Sequence, residues 1–146
     1  MAKSPTTASL RSEASERAQR RCEYCQRPDD QKLSAYAHEV DHVIAKKHGR
    51  ETVLENLAYS CFDCNRHKGT DLSSIDQNTG KVTLLFNPRT QRWRDHFRLQ
   101  ADGIILARTA AGRATARLLS FNDPLRVQIR ADLIAAGELN VRRKQS

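Results

Sequence analysis

Apolar and polar residues alternate along the segment from Leu33 to Val43, and this period of two predicts a β-strand. The residues that share one face of this strand are Tyr36, His38, Val40 and His42. Ile44 to Thr52 is rich in charged residues and contains a glycine, which predicts a loop. A short run from Leu57 to Ser60 predicts a second strand, and the segment from Cys64 to about Asp71 predicts a helix that stops near Gly69. The expected order is therefore strand, loop, strand and helix.

The N-terminal region has no strong periodicity. Residues 1 to 8 are typical of a disordered tail, and Ser9 or Ser12 is a candidate cap for a helix that runs to about Arg21. At 146 residues the chain has the size of one domain, a compact core with extensions. The expected divisions are an N-terminal tail and basic helix over 1–20, a central unit over 21–75 and a C-terminal extension over 76–146.

The C-terminal extension predicts further short elements. Lys81 to Phe86 reads as a weak strand, which the following Asn-Pro dipeptide ends. Trp93 and Phe97 are four positions apart, so a helical turn over Gln91 to Phe97 would bury both rings. Asp102-Gly103 lies between two apolar runs and predicts a β-hairpin turn. The two runs are Leu99 to Ala101 and Ile104 to Ala107.

Two helices are expected beyond the hairpin. The first covers Ala111 to Leu119; the second has Asn122 or Asp123 as its cap and Pro124 in its first turn, and ends at Gly137. The apolar stripe of the second helix would consist of Leu125, Ile129 and Leu133. Each helix also carries two arginines four positions apart, and we expect these side chains to contact nucleic acid. The pairs are Arg113 with Arg117 and Arg126 with Arg130.

The charge is unevenly distributed. The chain has a net charge of +8, typical of a protein that binds a polyanion. Residues 1–27 carry a net charge of +3, residues 28–80 carry −3 and residues 81–146 carry +8. Eleven of the thirteen cations in the last segment are arginine, whose planar guanidinium suits contacts with phosphate. A basic surface that is merely solvated is the alternative to this interpretation.

All four cysteines occur in two Cys-x-x-Cys pairs, Cys22 with Cys25 and Cys61 with Cys64. Two such pairs supply the four thiolates of a tetrahedral structural zinc site. Disulfides, a redox pair or buried thiols are weaker alternatives. The chain has no apolar run long enough for a signal peptide or a membrane span, so we expect a cytoplasmic protein with no membrane partner.

The strings Asp41-His42, Glu55-Asn56-Leu57 and Cys61-Phe62-Asp63-Cys64-Asn65-Arg66-His67-Lys68 resemble the HNH endonuclease family in order and spacing. The resemblance covers roughly residues 21 to 70. It implies an α+β fold with a small ββα-metal, treble-clef-like core stapled by zinc. An N-terminal helix and a C-terminal extension of hairpin and helices would surround this core.

The family pattern implies a role for each motif residue. His42 would be the general base of phosphodiester hydrolysis, a role that suits imidazole near neutral pH. Asp41 and Asn65 would bind the catalytic divalent cation, Mg²⁺ or Mn²⁺ with Ni²⁺ as a further candidate. Asn56 would hold the loop and orient His42 by hydrogen bonding. Because Asn65 stands where many family members have histidine, the chain resembles an HNN variant.

Each role has an alternative. Asp41 and His42 converge only if the strand ends or bulges at this point, and otherwise Asp41 is a surface acid. Asn56 alone is compatible with a turn, and Asn65 with a helix cap. Lys68 lies three positions after Asn65 and would contact phosphate. For His38, a phosphate contact or a packed side chain is favoured over a further metal ligand.

Two functions therefore compete. The first is a metal-dependent endonuclease that cuts DNA, most simply double-stranded DNA, which the basic extension would clamp. The second is a zinc-stapled module that binds nucleic acid without hydrolysing it. A protein-binding zinc scaffold is a third, weaker interpretation. The sequence leaves open the oligomeric state, the recognition site and the number of strands cut.

Overall fold

The computed structural model describes residues 7–29 and 37–141. The helices are α1 (Thr7–Arg17), α2 (Phe62–Lys68), α3 (Trp93–His96), α4 (Ala110–Leu118) and α5 (Pro124–Ala135). The strands are β1 (Glu39–His42), β2 (Leu57–Ser60), β3 (Ser73–Ile75), β4 (Val82–Leu84), β5 (Phe97–Leu99) and β6 (Ile105–Ala107). The strands form three antiparallel pairs, β1 with β2, β3 with β4 and β5 with β6. This arrangement confirms the α+β class.

The central unit has the expected order of strand, loop, strand and helix. Its second strand has the predicted bounds, whereas β1 is shorter than predicted, and residues 33–36 of that prediction lie outside the described residues. β1 pairs with β2 in a register that places His42 opposite Leu57. The loop between the strands contains two short 3₁₀ turns, Lys46–His48 and Leu54–Asn56. Because β1 ends at His42, the strand does not continue past the motif residues.

The N-terminal helix packs on the central unit. α1 buries Leu10 and Ala14, and the Arg11 guanidinium donates to the carbonyl of His38 at 2.7 Å. The helix starts earlier than predicted, at Thr7, and ends at Arg17 rather than near Arg21. It ends early because the backbone of the next residues turns into the left-handed region, with φ of 56° at Gln19. The first six residues of the predicted tail lie outside the described residues.

The C-terminal extension contains the predicted weak strand, the helical turn, the hairpin and both helices. The hairpin turns at Gly103, whose φ of 89° favours glycine and where a Cβ atom would lie 2.2 Å from the carbonyl oxygen of Val127. The sequence did not predict β3, the partner of β4. Phe86, Phe97 and Phe121 are buried and form one hydrophobic core with residues of the cysteine pairs.

The prediction for the apolar stripe of α5 is wrong at Leu125, which is 68% exposed. The face that α5 buries carries Arg126, Arg130 and Leu133, so it shares Leu133 with the predicted stripe but is rotated around the helix axis towards the two arginines. The buried face is polar because it lies against backbone carbonyls and cysteine sulfurs, which accept hydrogen bonds from guanidinium groups.

None of the described helices is both long enough and apolar enough to cross a lipid bilayer.

Candidate active site and zinc centre

The two cysteine pairs converge on one buried point. The sulfur atoms of Cys22, Cys25, Cys61 and Cys64 all lie within 4.8 Å of one another. The sulfurs of Cys25 and Cys61 are 3.6 Å apart, close to the ~3.8 Å edge of a tetrahedron with zinc–sulfur bonds of 2.3 Å. In each pair, the backbone N–H of the second cysteine lies 3.4 Å from the sulfur of the first. These four cysteines are arranged to bind a metal ion, and their donor set fits a structural zinc.

An arginine from the extension lies against the cysteine sulfurs. Nη2 of Arg126 is 3.0 Å from the sulfur of Cys64 and 3.8 Å from that of Cys61, and Nη1 donates to the carbonyl of Ser120 at 3.0 Å. Burial alone would lower the pKa of Arg126, but the neighbouring cysteine thiolates raise it instead. A zinc ion with four thiolates has a net charge of −2, so this buried guanidinium neutralises part of the excess.

His42 occupies the last position of β1 and is half-buried. Its Nε2 atom lies 2.8 Å from the hydroxyl of Thr52 in the loop that follows. Among the described residues, no group hydrogen-bonds to its Nδ1 atom. When Nε2 carries the proton and donates it to Thr52, the Nδ1 lone pair is the one that accepts a proton.

Asp41 is buried and held from two sides. Its Oδ2 atom accepts a hydrogen bond from the Tyr24 hydroxyl at 2.8 Å and lies 3.0 Å from Nζ of Lys68. Burial raises the pKa of Asp41 above its ordinary value, although the charge of Lys68 acts in the opposite direction. Its Oδ1 atom has no hydrogen-bond partner among the described residues. Asp41 is therefore not a surface acid, and one of its oxygens is available as a ligand.

Asn56 joins the two ends of the loop. Its side-chain oxygen accepts from the backbone N–H of Ile44 at 3.0 Å, while its amide donates to the carbonyls of Ile44 and Glu51 at 2.8 and 3.1 Å. These three bonds support the loop-holding part of the prediction. The residue that bonds to the His42 ring is Thr52, not Asn56.

Asn65 lies in the interior of α2 rather than at its cap. The N-cap is Cys61, whose sulfur accepts from the backbone N–H of Cys64. No described residue hydrogen-bonds to the side-chain amide of Asn65. Lys68, one turn further along the same helix face, reaches Asp41, so this face of α2 is turned towards the end of β1. Asn65 therefore shares a helix face with the lysine that contacts Asp41 and the His42 carbonyl.

The structure contradicts three of the predicted nucleic-acid contacts. Lys68 is 3% exposed, and its ammonium group donates to the His42 carbonyl as well as pairing with Asp41. Arg126 lies on the cysteine sulfurs, and Arg130 donates to the carbonyls of Gly103 and Phe121 at 2.7 and 2.6 Å. These groups are buried because they satisfy acceptors inside the fold, which leaves none of them available to phosphate.

The other predicted pair lies at the surface of the extension. Arg113 forms a bidentate ion pair with the buried carboxylate of Asp76, with N–O distances of 2.8 and 3.0 Å. This pair lowers the pKa of Asp76 and engages two of the nitrogens that a phosphate would need. Arg117 is exposed and adjoins the side-chain amide of Gln77, and its contact with nucleic acid stays a prediction.

His38 is a packed histidine. It is 4% exposed, its Nε2 atom lies 2.9 Å from the carbonyl of Arg27, and its ring packs at a tilt against Tyr59 with a centroid distance of 5.3 Å. Sequence reasoning missed Tyr24 and Thr52, the two residues that hold Asp41 and His42. No local signal marks either of them, because each acts through a contact between segments that are distant in the chain.

Comparison with known families agrees with this geometry. Residues 22–71 match the model of the family described as HNH endonuclease. The matched segment contains both cysteine pairs, both strands of the central unit and α2, so the chain carries an HNH domain with a cysteine cluster suited to zinc. The resemblance inferred from the motif is confirmed. No curated protein and no solved structure matched the chain in the same comparisons.

Proposed function

We propose that the protein is a metal-dependent endonuclease that hydrolyses phosphodiester bonds in DNA. The observation that carries the proposal is the hydrogen bonding of the two ring nitrogens of His42. It lies at the end of β1 in an HNH domain, with Nε2 bonded to Thr52 and Nδ1 left without a partner among the described residues. A histidine whose ring is fixed through one nitrogen and available through the other is suited to general-base catalysis.

In the proposed reaction, Nδ1 of His42 removes a proton from a water molecule while the water oxygen attacks phosphorus. The bond from phosphorus to the 3′ oxygen breaks, the departing oxygen takes a proton from solvent, and the phosphate remains on the 5′ side. The Thr52 hydroxyl keeps the ring in position during this transfer, and the bonds of Asn56 hold the loop that carries Thr52.

Asp41 and Asn65 are the proposed ligands of the catalytic cation. The free Oδ1 atom of Asp41 and the side-chain oxygen of Asn65 are donors of the kind that Mg²⁺ and Mn²⁺ prefer, with Ni²⁺ as a further candidate. A divalent cation bound there would offset the negative charge that develops on the phosphate. Tyr24 and Lys68 hold the other carboxylate oxygen, which fixes the direction of Oδ1.

Cleavage of supercoiled plasmid tests this proposal. We expect conversion to nicked or linear DNA in Mg²⁺, Mn²⁺ or Ni²⁺, and none after a brief treatment with EDTA. Zinc content is measured after the treatment, so that loss of the catalytic cation is separated from loss of the structural zinc. A zinc-loaded, folded protein that leaves the plasmid intact with all three ions would refute the proposal.

The ion pair of Lys68 with Asp41 favours a second candidate function. Because a lysine already balances the charge of Asp41, the buried carboxylate is stable without a second cation. This is compatible with a zinc-stapled module that binds nucleic acid without cutting it. That candidate predicts salt-dependent binding to duplex DNA together with an intact plasmid in every divalent ion.

Removal of the Thr52 hydroxyl is expected to slow cleavage without weakening DNA binding. Thr52→Val keeps the shape of the side chain but loses the bond to Nε2, worth about 1 kcal/mol, so kcat should fall roughly fivefold at unchanged KM. Thr52→Ser keeps the hydroxyl and should restore most of kcat. Equal kcat for the valine and serine variants would show that the hydroxyl does not position His42.

A further inference from the structure

A basic cleft lies between the first cysteine pair and the extension. Its volume is about 510 Å³, and four arginines line it, Arg21, Arg94, Arg98 and Arg108. Trp93 forms part of the wall. None of the described residues that line this cleft is acidic. It therefore concentrates positive charge in a concave surface, whereas two of the four arginines predicted to bind nucleic acid, Arg126 and Arg130, are buried inside the fold.

The guanidinium groups at the mouth of the cleft are available for a ligand. Arg94, Arg98 and Arg108 are exposed, and none of them forms an ion pair with a carboxylate among the described residues. Among the described residues, the guanidinium of Arg108 donates to the carbonyl of Arg94 alone, at 3.3 Å. Three like charges held close together without counter-ions repel one another, and a bound polyanion would relieve this repulsion.

The cleft and the candidate active site are joined through one residue. The indole N–H of Trp93 donates to the backbone carbonyl of Tyr24 at 2.7 Å, and the hydroxyl of Tyr24 donates to Asp41 at 2.8 Å. Tyr24 lies between the two cysteines of the first pair, where the chain is buried and tightly held. These bonds fix the position of the cleft, and of any ligand bound in it, relative to Asp41 and His42.

We propose that this cleft binds the sugar-phosphate backbone of duplex DNA at a point separate from the bond to be cut. Arginine forks suit phosphate oxygens, and contacts of this kind position a duplex without reading its sequence. The inference rests on the proposed function only for the choice of nucleic acid as the ligand. It places the main DNA anchor outside residues 22–71, since Gln26 is the one residue of that segment among the described residues that line the cleft.

The test compares two triple variants in binding to a fluorescein-labelled 20-base-pair duplex, measured in EDTA after zinc content has been confirmed. The cleft variant carries Arg94→Gln, Arg98→Gln and Arg108→Gln. The control carries Lys47→Gln, Arg66→Gln and Lys81→Gln, three exposed cations on separate parts of the surface. Both lose three positive charges, so a difference between them reports the location of the charge rather than its amount.

We expect the cleft variant to bind about 10- to 100-fold more weakly at 0.1 M salt, with the slope of log K against log salt reduced by about 2 to 3. The control variant should stay within about threefold of the parent protein. Trp93 is the only tryptophan, and its emission should change when the parent protein binds the duplex. Equal weakening of the two variants, or an unchanged salt slope in the cleft variant, would overturn the proposal.

A variant that keeps the three positive charges shows whether weaker binding reflects loss of charge or misfolding. Arg94→Lys, Arg98→Lys and Arg108→Lys together should retain the salt slope, because lysine releases the same number of counter-ions from DNA. Loss of that slope would also contradict the proposal. Because binding is measured without a catalytic cation, the proposal for the cleft is tested independently of the proposed endonuclease activity. A protein that binds through the cleft but does not cut refutes only the proposed function, and one that cuts with an unimpaired cleft variant refutes only this inference.

Discussion

Replacement of His42 by alanine is expected to reduce the rate of plasmid cleavage by about 10²- to 10⁴-fold, the usual contribution of a positioned general base. The reason is that the His42 ring, which Thr52 holds in position, is the proposed acceptor of the proton from the attacking water. Zinc content and folding should be unchanged, because His42 is not among the four cysteine ligands and is only half-buried. Cleavage rates are measured under single-turnover conditions with saturating divalent ion.

The matched control is His48→Ala. His48 is exposed in the same loop, and within the part of the chain that the structure describes its ring hydrogen-bonds to the carbonyl of Thr70 alone, at 3.2 Å. This variant loses an imidazole of the same region and should cleave within about threefold of the parent protein, as expected for a surface substitution. Undiminished cleavage by His42→Ala, in a protein that keeps its zinc and its affinity for duplex, would exclude His42 as the base.

The central unit was predictable because its motif is local. The cysteine pairs, the Asp-His dipeptide and the Cys-Asn junction lie in short strings whose spacing indicated the metal cluster, and short local runs indicated β2 and α2. The exact end of β1 decided whether Asp41 and His42 could lie near each other. That end depends on the bonds between Asn56 and Ile44, which join segments twelve residues apart.

The extension was predicted in outline but not in its contacts. Asp102-Gly103 marked the hairpin correctly, because this turn needs a residue that tolerates a positive φ. The strand β3 was missed because its sequence, Ser-Ser-Ile, has little strand propensity and is stabilised by pairing with β4. Tertiary pairing decided this element, and single-sequence patterns do not contain that information.

The arginine stripes show why long charged side chains are hard to assign from sequence. Arg113/Arg117 and Arg126/Arg130 have the same spacing, yet the first pair lies at the surface and the second is buried. Periodicity identifies residues that share a helix face but not what that face meets. Here α5 meets the Cys64 sulfur and the carbonyls of Gly103 and Phe121, acceptors that arginine can satisfy and leucine cannot.

Removal of zinc is expected to unfold the extension together with the central unit. Burial raises the pKa of the Cys22 and Cys64 thiols, whereas hydrogen bonds from the other cysteines lower the pKa of Cys25. Without zinc, the raised pKa of Cys64 weakens its contact with the buried guanidinium of Arg126, and breaking a buried pair of this kind costs roughly 3–5 kcal/mol. The loss of zinc binding itself removes about 10 kcal/mol or more in comparable structural sites. Together these terms exceed the stability of most domains of this size.

The measurement follows helix content by circular dichroism and Trp93 emission while a strong zinc chelator is titrated. Trp93 belongs to the extension, but its indole bonds to Tyr24 inside the first cysteine pair, so its emission should shift to that of a solvated indole. Both signals should change at the same chelator concentration and recover with Zn²⁺ but not with Mg²⁺, since thiolates select zinc. Retention of the native Trp93 emission after complete loss of zinc would show that the extension folds independently of the cysteine cluster.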